Sequence, residues 1–139
     1  MLDALEIKSA EPAIVPDAGY SEKELHAMQR AVISLMAKWG VSDVDAAVIL
    51  GGIAAKTFRR WKDGDYGRVN RDLADRMSNL LGIHKALRII FSDAANGYEW
   101  VRADNKAFDQ NSALDVLKRG GMQDIIRIRR YLDSARGGW

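Results

Sequence analysis

Two adjacent glycines, Gly51 and Gly52, stand between two short segments that each read as amphipathic helix. Glycine takes positive φ without the Cβ penalty that other residues carry, so a helix–Gly–helix junction turns tightly. Before the glycines, Ala46 and Ala47 are small enough to let a following helix cross close by. After them, Ile53, Phe58 and Trp61 recur at the offsets a second helix needs on its inward face. This combination restricts the segment to an α-helical hairpin of the helix-turn-helix kind.

The rest of the chain carries the same punctuation. Ser21 with Glu24 forms a capping box, followed by Leu25, Met28, Val32, Leu35, Met36 and Trp39 at helical spacing and stopped by Gly40. Ser42 with Asp45 opens a short helix from Asp43 to about Leu50, with Val44, Ala47 and Val48 expected inward. A third helix is predicted over Ala55–Lys62 and broken by Asp63-Gly64-Asp65. Asn70 caps a fourth, with Leu73, Met77, Leu80 and Leu81 on one face. Gly82 interrupts that pattern and it resumes through Ile83, Leu87, Ile90 and Phe91, which fits one kinked helix or two. Ser92–Gly97 reads as a turn and Tyr98–Asn111 as an ordered loop. Ser112 with Asp115 opens a short helix through Leu117 and Lys118, ended by Gly120-Gly121. The last helix is expected from Met122 to about Ser134, with Ile125, Ile128, Leu132 and Ala135 inward. No apolar/polar alternation persists long enough for a strand, so the fold class is all-α.

Composition narrows the function. With no cysteine among 139 residues, disulfides, thiolate nucleophiles and zinc-thiolate sites are excluded. His26 and His84 are far apart in sequence and no paired-carboxylate motif accompanies them, so the reading assigns no metal, no cofactor and no catalytic residue. Gly51-Gly52-Ile53-Ala54-Ala55-Lys56-Thr57 lacks the glycine that a phosphate-binding loop places directly before its lysine. No apolar run reaches the roughly 20 residues of a membrane span, and the acidic start, Met1 to Ile7, does not read as a signal peptide. A cytoplasmic binding protein, not an enzyme, is expected.

Net charge is only +2, but its distribution is uneven. Residues 1–20, which hold both prolines, carry four acidic groups and one lysine, and read as a disordered or loosely packed arm. Lys56–Arg76 carries seven basic and four acidic groups, and Lys118–Arg136 six and two. Such clusters suit an anion-facing surface or a solvated helix face. On the helix after the glycines, the outward residues are Lys56, Thr57, Arg59, Arg60 and Lys62. These side chains pair with phosphates or with base edges in the major groove, making this the candidate DNA-reading face. Ala54 is a poor N-cap for that helix. Late in the chain, Trp100, Phe108, Tyr131 and Trp139 accompany Arg127, Arg130 and Arg136, the residue types that dominate protein-binding surfaces.

Several segments together resemble the Xre/MbcA/ParS-type antitoxins, particularly those paired with RES-domain toxins. They are Leu50-Gly51-Gly52-Ile53 through Thr57-Phe58-Arg59-Arg60-Trp61-Lys62, then Leu80-Leu81-Gly82-Ile83-His84-Lys85-Ala86-Leu87. Trp100-Val101-Arg102, Asn105, Phe108 and Ser112-Ala113-Leu114-Asp115 follow. Arg129-Arg130-Tyr131-Leu132-Asp133 and the terminal Arg136-Gly137-Gly138-Trp139 close the series. The resemblance implies an Xre-like helix-turn-helix domain for DNA binding and dimerisation over residues 21–91, then a small helical toxin-binding domain over 92–139. It further implies a homodimer that represses its own operon at a palindromic operator and neutralises a toxin that consumes NAD. Its toxin-binding residues would be Trp100, Phe108, Arg127, Arg130, Tyr131, Arg136, Gly137, Gly138 and Trp139. One loop departs from the family pattern: Phe108-Asp109-Gln110-Asn111-Ser112 stands where Phe-Gly-Gly-Arg-Ser is usual. Two other readings fit the residues: a plain transcriptional regulator whose C-terminal half only dimerises, and a localisation or scaffold protein.

Overall fold

The computed structural model describes residues 19–137, and within them the chain forms seven α-helices. Helix α1 spans Glu22–Lys38, α2 Asp43–Ile49, α3 Ala55–Lys62 and α4 Arg71–Ile90. The C-terminal helices are α5 (Ala94–Arg102), α6 (Ala113–Leu117) and α7 (Met122–Ala135). The arm expected over 1–20 lies, apart from its last two residues, outside the described residues. So do Gly138 and Trp139.

The predicted caps form. Ser21 and Glu24 exchange hydrogen bonds at the start of α1 (3.1 and 2.8 Å), and Ser112 and Asp115 do the same before α6 (2.9 and 3.1 Å). Ser42 accepts from the Asp45 N–H at 3.1 Å and Asn70 from the Leu73 N–H at 2.9 Å. Each satisfies a backbone donor that the first helical turn leaves unpaired. Ala54 supplies no such bond to α3. The Asp115 carboxyl is held below its usual range, first by the Ser112 backbone N–H, then by the Ser112 hydroxyl, with Lys118 and Arg119 adding to the effect.

Five expectations are corrected. Gly82 does not interrupt α4, which runs unbroken for 20 residues. Ser92–Gly97 and Tyr98–Asn111 are not turn and loop throughout, because Asp93 caps the Ala95 N–H (3.0 Å) and starts α5. Two-residue strands, Asp104–Asn105 and Asn111–Ser112, pair antiparallel around a 3-10 turn at Lys106–Phe108; they are too short to display alternation. On α2, Val44 is 61% and Val48 38% exposed, while Ala46, Ala47 and Ile49 are buried. On α7, Ile125, Ile128 and Leu132 are buried as expected, but Ala135 is exposed.

Among the described residues one apolar cluster runs from Val32, Leu35 and Trp39 on α1, through Phe58 and Trp61 on α3, to Ile125, Ile128 and Leu132 on α7. Helix α4 is its spine. It packs against α1 on the N-terminal side and most extensively against α7 on the other. Gly82 makes this second contact close: a Cβ there would lie 2.5 Å from Cζ of Arg129 on α7. The glycine costs about 1 kcal/mol of helix propensity relative to alanine, which the approach of a packed neighbour offsets.

Candidate functional site

Two surfaces gather the residues singled out in the sequence. The first is the outer face of α3. Phe58 and Trp61 are each 1% exposed and pin the helix to the core, their rings 5.8 Å apart. Lys56, Arg59, Arg60 and Lys62 are exposed and Thr57 is half-buried. The basic residues differ in their surroundings. Lys62 Nζ binds Oδ1 of Asp43 on α2 and lies 5.4 Å from the Phe58 ring centroid, and Arg59 Nη1 approaches the other oxygen of Asp43 at 3.9 Å.

The second surface joins elements far apart in sequence. Trp100 on α5, Phe108 on the 3-10 turn and Tyr131 on α7 form one aromatic cluster. The Trp100 and Tyr131 rings stack at 6.1 Å, and Phe108 meets each edge-on at 6.2 and 5.2 Å. Phe108 is buried and supports the other two, while Tyr131 is 39% exposed. Arg127, one turn before Tyr131, lies over the Phe108 ring at 5.3 Å and donates to the Ala107 carbonyl at 3.2 Å. Arg130 is exposed beside them on α7. Edge-to-face and stacked aromatic pairs hold such a surface in a fixed shape, so little side-chain freedom is left to lose on contact with a partner.

The end of α7 is tied back by charge. Arg129 donates to Asn79 Oδ1 on α4 at 2.9 Å and faces Asp133 at 3.8 Å, and Asp133 in turn holds Arg136 at 3.6 Å. Gly137, at φ +75°, closes the helix by donating to the Ser134 carbonyl at 3.2 Å.

Sequence reading missed Arg76, which links the two halves. It is 9% exposed. Its Nη1 donates to the Gly120 carbonyl at 2.7 Å and the Ile49 carbonyl at 3.3 Å, while Nε donates to Asp72 at 2.9 Å. The guanidinium fills the space under the α2–α3 turn: a Cβ on Gly51, at φ +98°, would sit 2.8 Å from Nε. Gly120 in turn presses on Val48, and Lys118 pairs with Asp45 at 3.5 Å. A signal was present. Arg76 falls three residues after Leu73 and four before Leu80, on the apolar face of α4, where an unpaired arginine is not expected.

Comparison with known proteins agrees with this arrangement. Residues 26–82 match the model of the antitoxin Xre-like helix-turn-helix domain, and residues 86–138 match that of the antitoxin Xre/MbcA/ParS C-terminal toxin-binding domain. The uncharacterized protein y4oB of Sinorhizobium fredii is 41% identical over 101 residues, which cover 73% of this chain and 78% of the relative.

Proposed function

The chain belongs to the Xre/MbcA/ParS antitoxin family, and on that footing we propose that it neutralises a RES-domain, NAD-degrading toxin and represses its own operon as a cytoplasmic homodimer. The family assignment makes it an antitoxin with a helix-turn-helix and a toxin-binding region; the RES partner, repression and the dimer are the proposal. We divide the work at about residue 91, with DNA and dimer contacts before it and toxin contacts over 92–139.

The observation that carries the toxin half of the reading is the convergence of Trp100, Phe108, Tyr131 and Arg127 into one shaped surface. Aromatic and arginine side chains are the anchors that protein interfaces favour. Arg130, Arg136, Gly137, Gly138 and Trp139 contribute further toxin contacts in the proposal, with arginine suited to an acidic residue in the toxin's substrate site. For the DNA half, α3 carries Lys56, Thr57, Arg59, Arg60 and Lys62 toward the major groove. A homodimer sets two such helices about one DNA turn, roughly 34 Å, apart, which requires a palindromic operator.

The test is co-expression with a RES-domain toxin, taken from a gene adjacent to this one where there is one, reading growth and cellular NAD. The full chain should restore both. The Arg127→Ala, Tyr131→Ala double variant and a chain ending before Arg136 should each lose protection while remaining folded. A full chain that neither co-purifies with the toxin nor preserves NAD would refute the reading.

A further inference from the structure

Asp43 is the residue whose placement the DNA-binding reading does not explain. It opens α2, where the sequence runs Ser42-Asp43-Val44-Asp45, and its carboxylate lies against the outer face of α3. One oxygen binds Lys62 Nζ and the other faces Arg59 Nη1 at 3.9 Å. Its side chain is three-quarters covered, at 25% relative exposure, while Arg59 and Lys62 remain 56% and 44% exposed. A carboxylate held against two cations on a phosphate-facing helix occupies the electrostatic position a DNA phosphate would take.

We infer that Asp43 is a specificity-determining residue: an internal phosphate mimic that holds Arg59 and Lys62 away from non-specific DNA. This inference rests on the DNA-binding reading of α3. An arbitrary duplex offers the two side chains only a phosphate in exchange for the carboxylate they already hold, and Asp43 repels that phosphate at a range well inside the Debye length of about 8 Å. A duplex whose base edges fit Lys56, Thr57 and Arg60 gains contacts that Asp43 does not oppose. The carboxylate therefore lowers non-specific affinity more than specific affinity, as a repulsive element built against the wrong partners does. Arg59 and Lys62 thus change standing, from free contacts to conditional ones.

The charge effect must be separated from a general loss of one negative charge, and the molecule supplies the control. Asp45 lies on the same helix two residues on, but pairs with Lys118 at 3.5 Å, away from α3. Full-length Asp43→Asn and Asp45→Asn each remove one charge from α2. Binding of each to a mixed-sequence duplex of about 20 base pairs is measured by fluorescence anisotropy from about 50 to 200 mM salt, with thermal melts to verify folding. The same series is run on DNA from upstream of the gene. Each cation freed for a phosphate steepens the log–log salt dependence by about 0.9. Asp43→Asn should therefore steepen it by roughly 1 to 2 and tighten mixed-sequence binding by about tenfold at the lowest salt. Asp45→Asn should do neither, and upstream DNA should gain less than the mixed duplex. Equal effects of the two substitutions, or none from Asp43→Asn, overturn the inference while leaving the DNA-binding reading intact. Absence of binding to either duplex by the wild type and both variants refutes the DNA-binding reading and takes the inference with it.

Discussion

Asp109 and Gln110 are the only non-glycine residues with positive φ among those described, at +57° and +69°. They occupy the turn between the two short strands. The turn is fixed from outside: the Gln110 N–H donates to the Asn105 carbonyl at 3.0 Å, and Asn105 caps the 3-10 turn through Ala107. Aspartate tolerates the left-handed region better than most residues, and glutamine has no comparable local compensation. Gln110→Gly should therefore stabilise the protein by about 0.5–1 kcal/mol, and Gln110→Val should destabilise it by more, in denaturant melts. His84 gives a second residue-scale prediction. It stacks on Tyr98 at 6.4 Å, and its buried Nδ1 has no hydrogen-bond partner. Burial, then the positive charges of Lys38 and Arg88, push its pKa down. The unfolded chain thus takes up a proton first as pH falls below the ordinary histidine value of about 6.5, so this group's contribution to stability declines on acidification. Melts at neutral and mildly acidic pH should show that decline in the wild type and a shallower one in His84→Gln.

At the scale of elements, helices with a strong apolar period were legible: α1, α3 and α7 follow their sequence patterns closely. Where longer segments were misread, tertiary packing overrode local preference. Ala94-Ala95-Asn96-Gly97 has the composition of a turn, yet Gly97 is buried, and a Cβ there would fall in ordinary contact with Leu87 and Phe91 at 3.5 and 3.6 Å. The segment is helical because that face packs on the end of α4. On α2, seven residues cover barely two turns, so the apolar residues do not fix the helix phase; the turn at Gly51 and the contact with α3 do, leaving Val44 outside. Gly82 reads as a breaker along the chain and acts as a seat for Arg129 across it. The candidate site divides the same way. The basic face of α3 is adjacent in sequence and was legible. The aromatic surface was legible as a set of residue types but not as a place, because Trp100, Phe108 and Tyr131 meet only once α5, the 3-10 turn and α7 have packed. Asp43 and Arg76 were not singled out because each acts on partners from other elements.

At the scale of the molecule, DNA-reading and toxin-binding roles would sit on one continuous core, which raises the question of whether the halves fold separately. The geometry at Arg76 indicates that they do not. Its guanidinium supports the Gly51 turn from within the N-terminal half and also binds the Gly120 carbonyl between α6 and α7, so the C-terminal turn is held by a residue of the other half. Helix α4 adds the apolar counterpart, because its largest contact is with α7, and each large aliphatic side chain uncovered there costs roughly 1.5–3 kcal/mol. A chain ending after Phe91 loses both and should show no cooperative thermal transition, although it retains every residue of the helix-turn-helix. In the full chain, Arg76→Leu keeps much of the volume but leaves the Ile49 and Gly120 carbonyls without their buried donor. It should cost about 2–4 kcal/mol in a transition that remains single by both far-ultraviolet dichroism and tryptophan fluorescence. The two probes are informative together, because Trp39 and Trp61 report from the N-terminal half and Trp100 from the other. If instead the fragment melts cooperatively at the full-chain temperature, or the Arg76 variant separates into two transitions, the halves are independent units. Any effect of toxin binding on DNA binding would then have to arise from dimer geometry and not from the shared core.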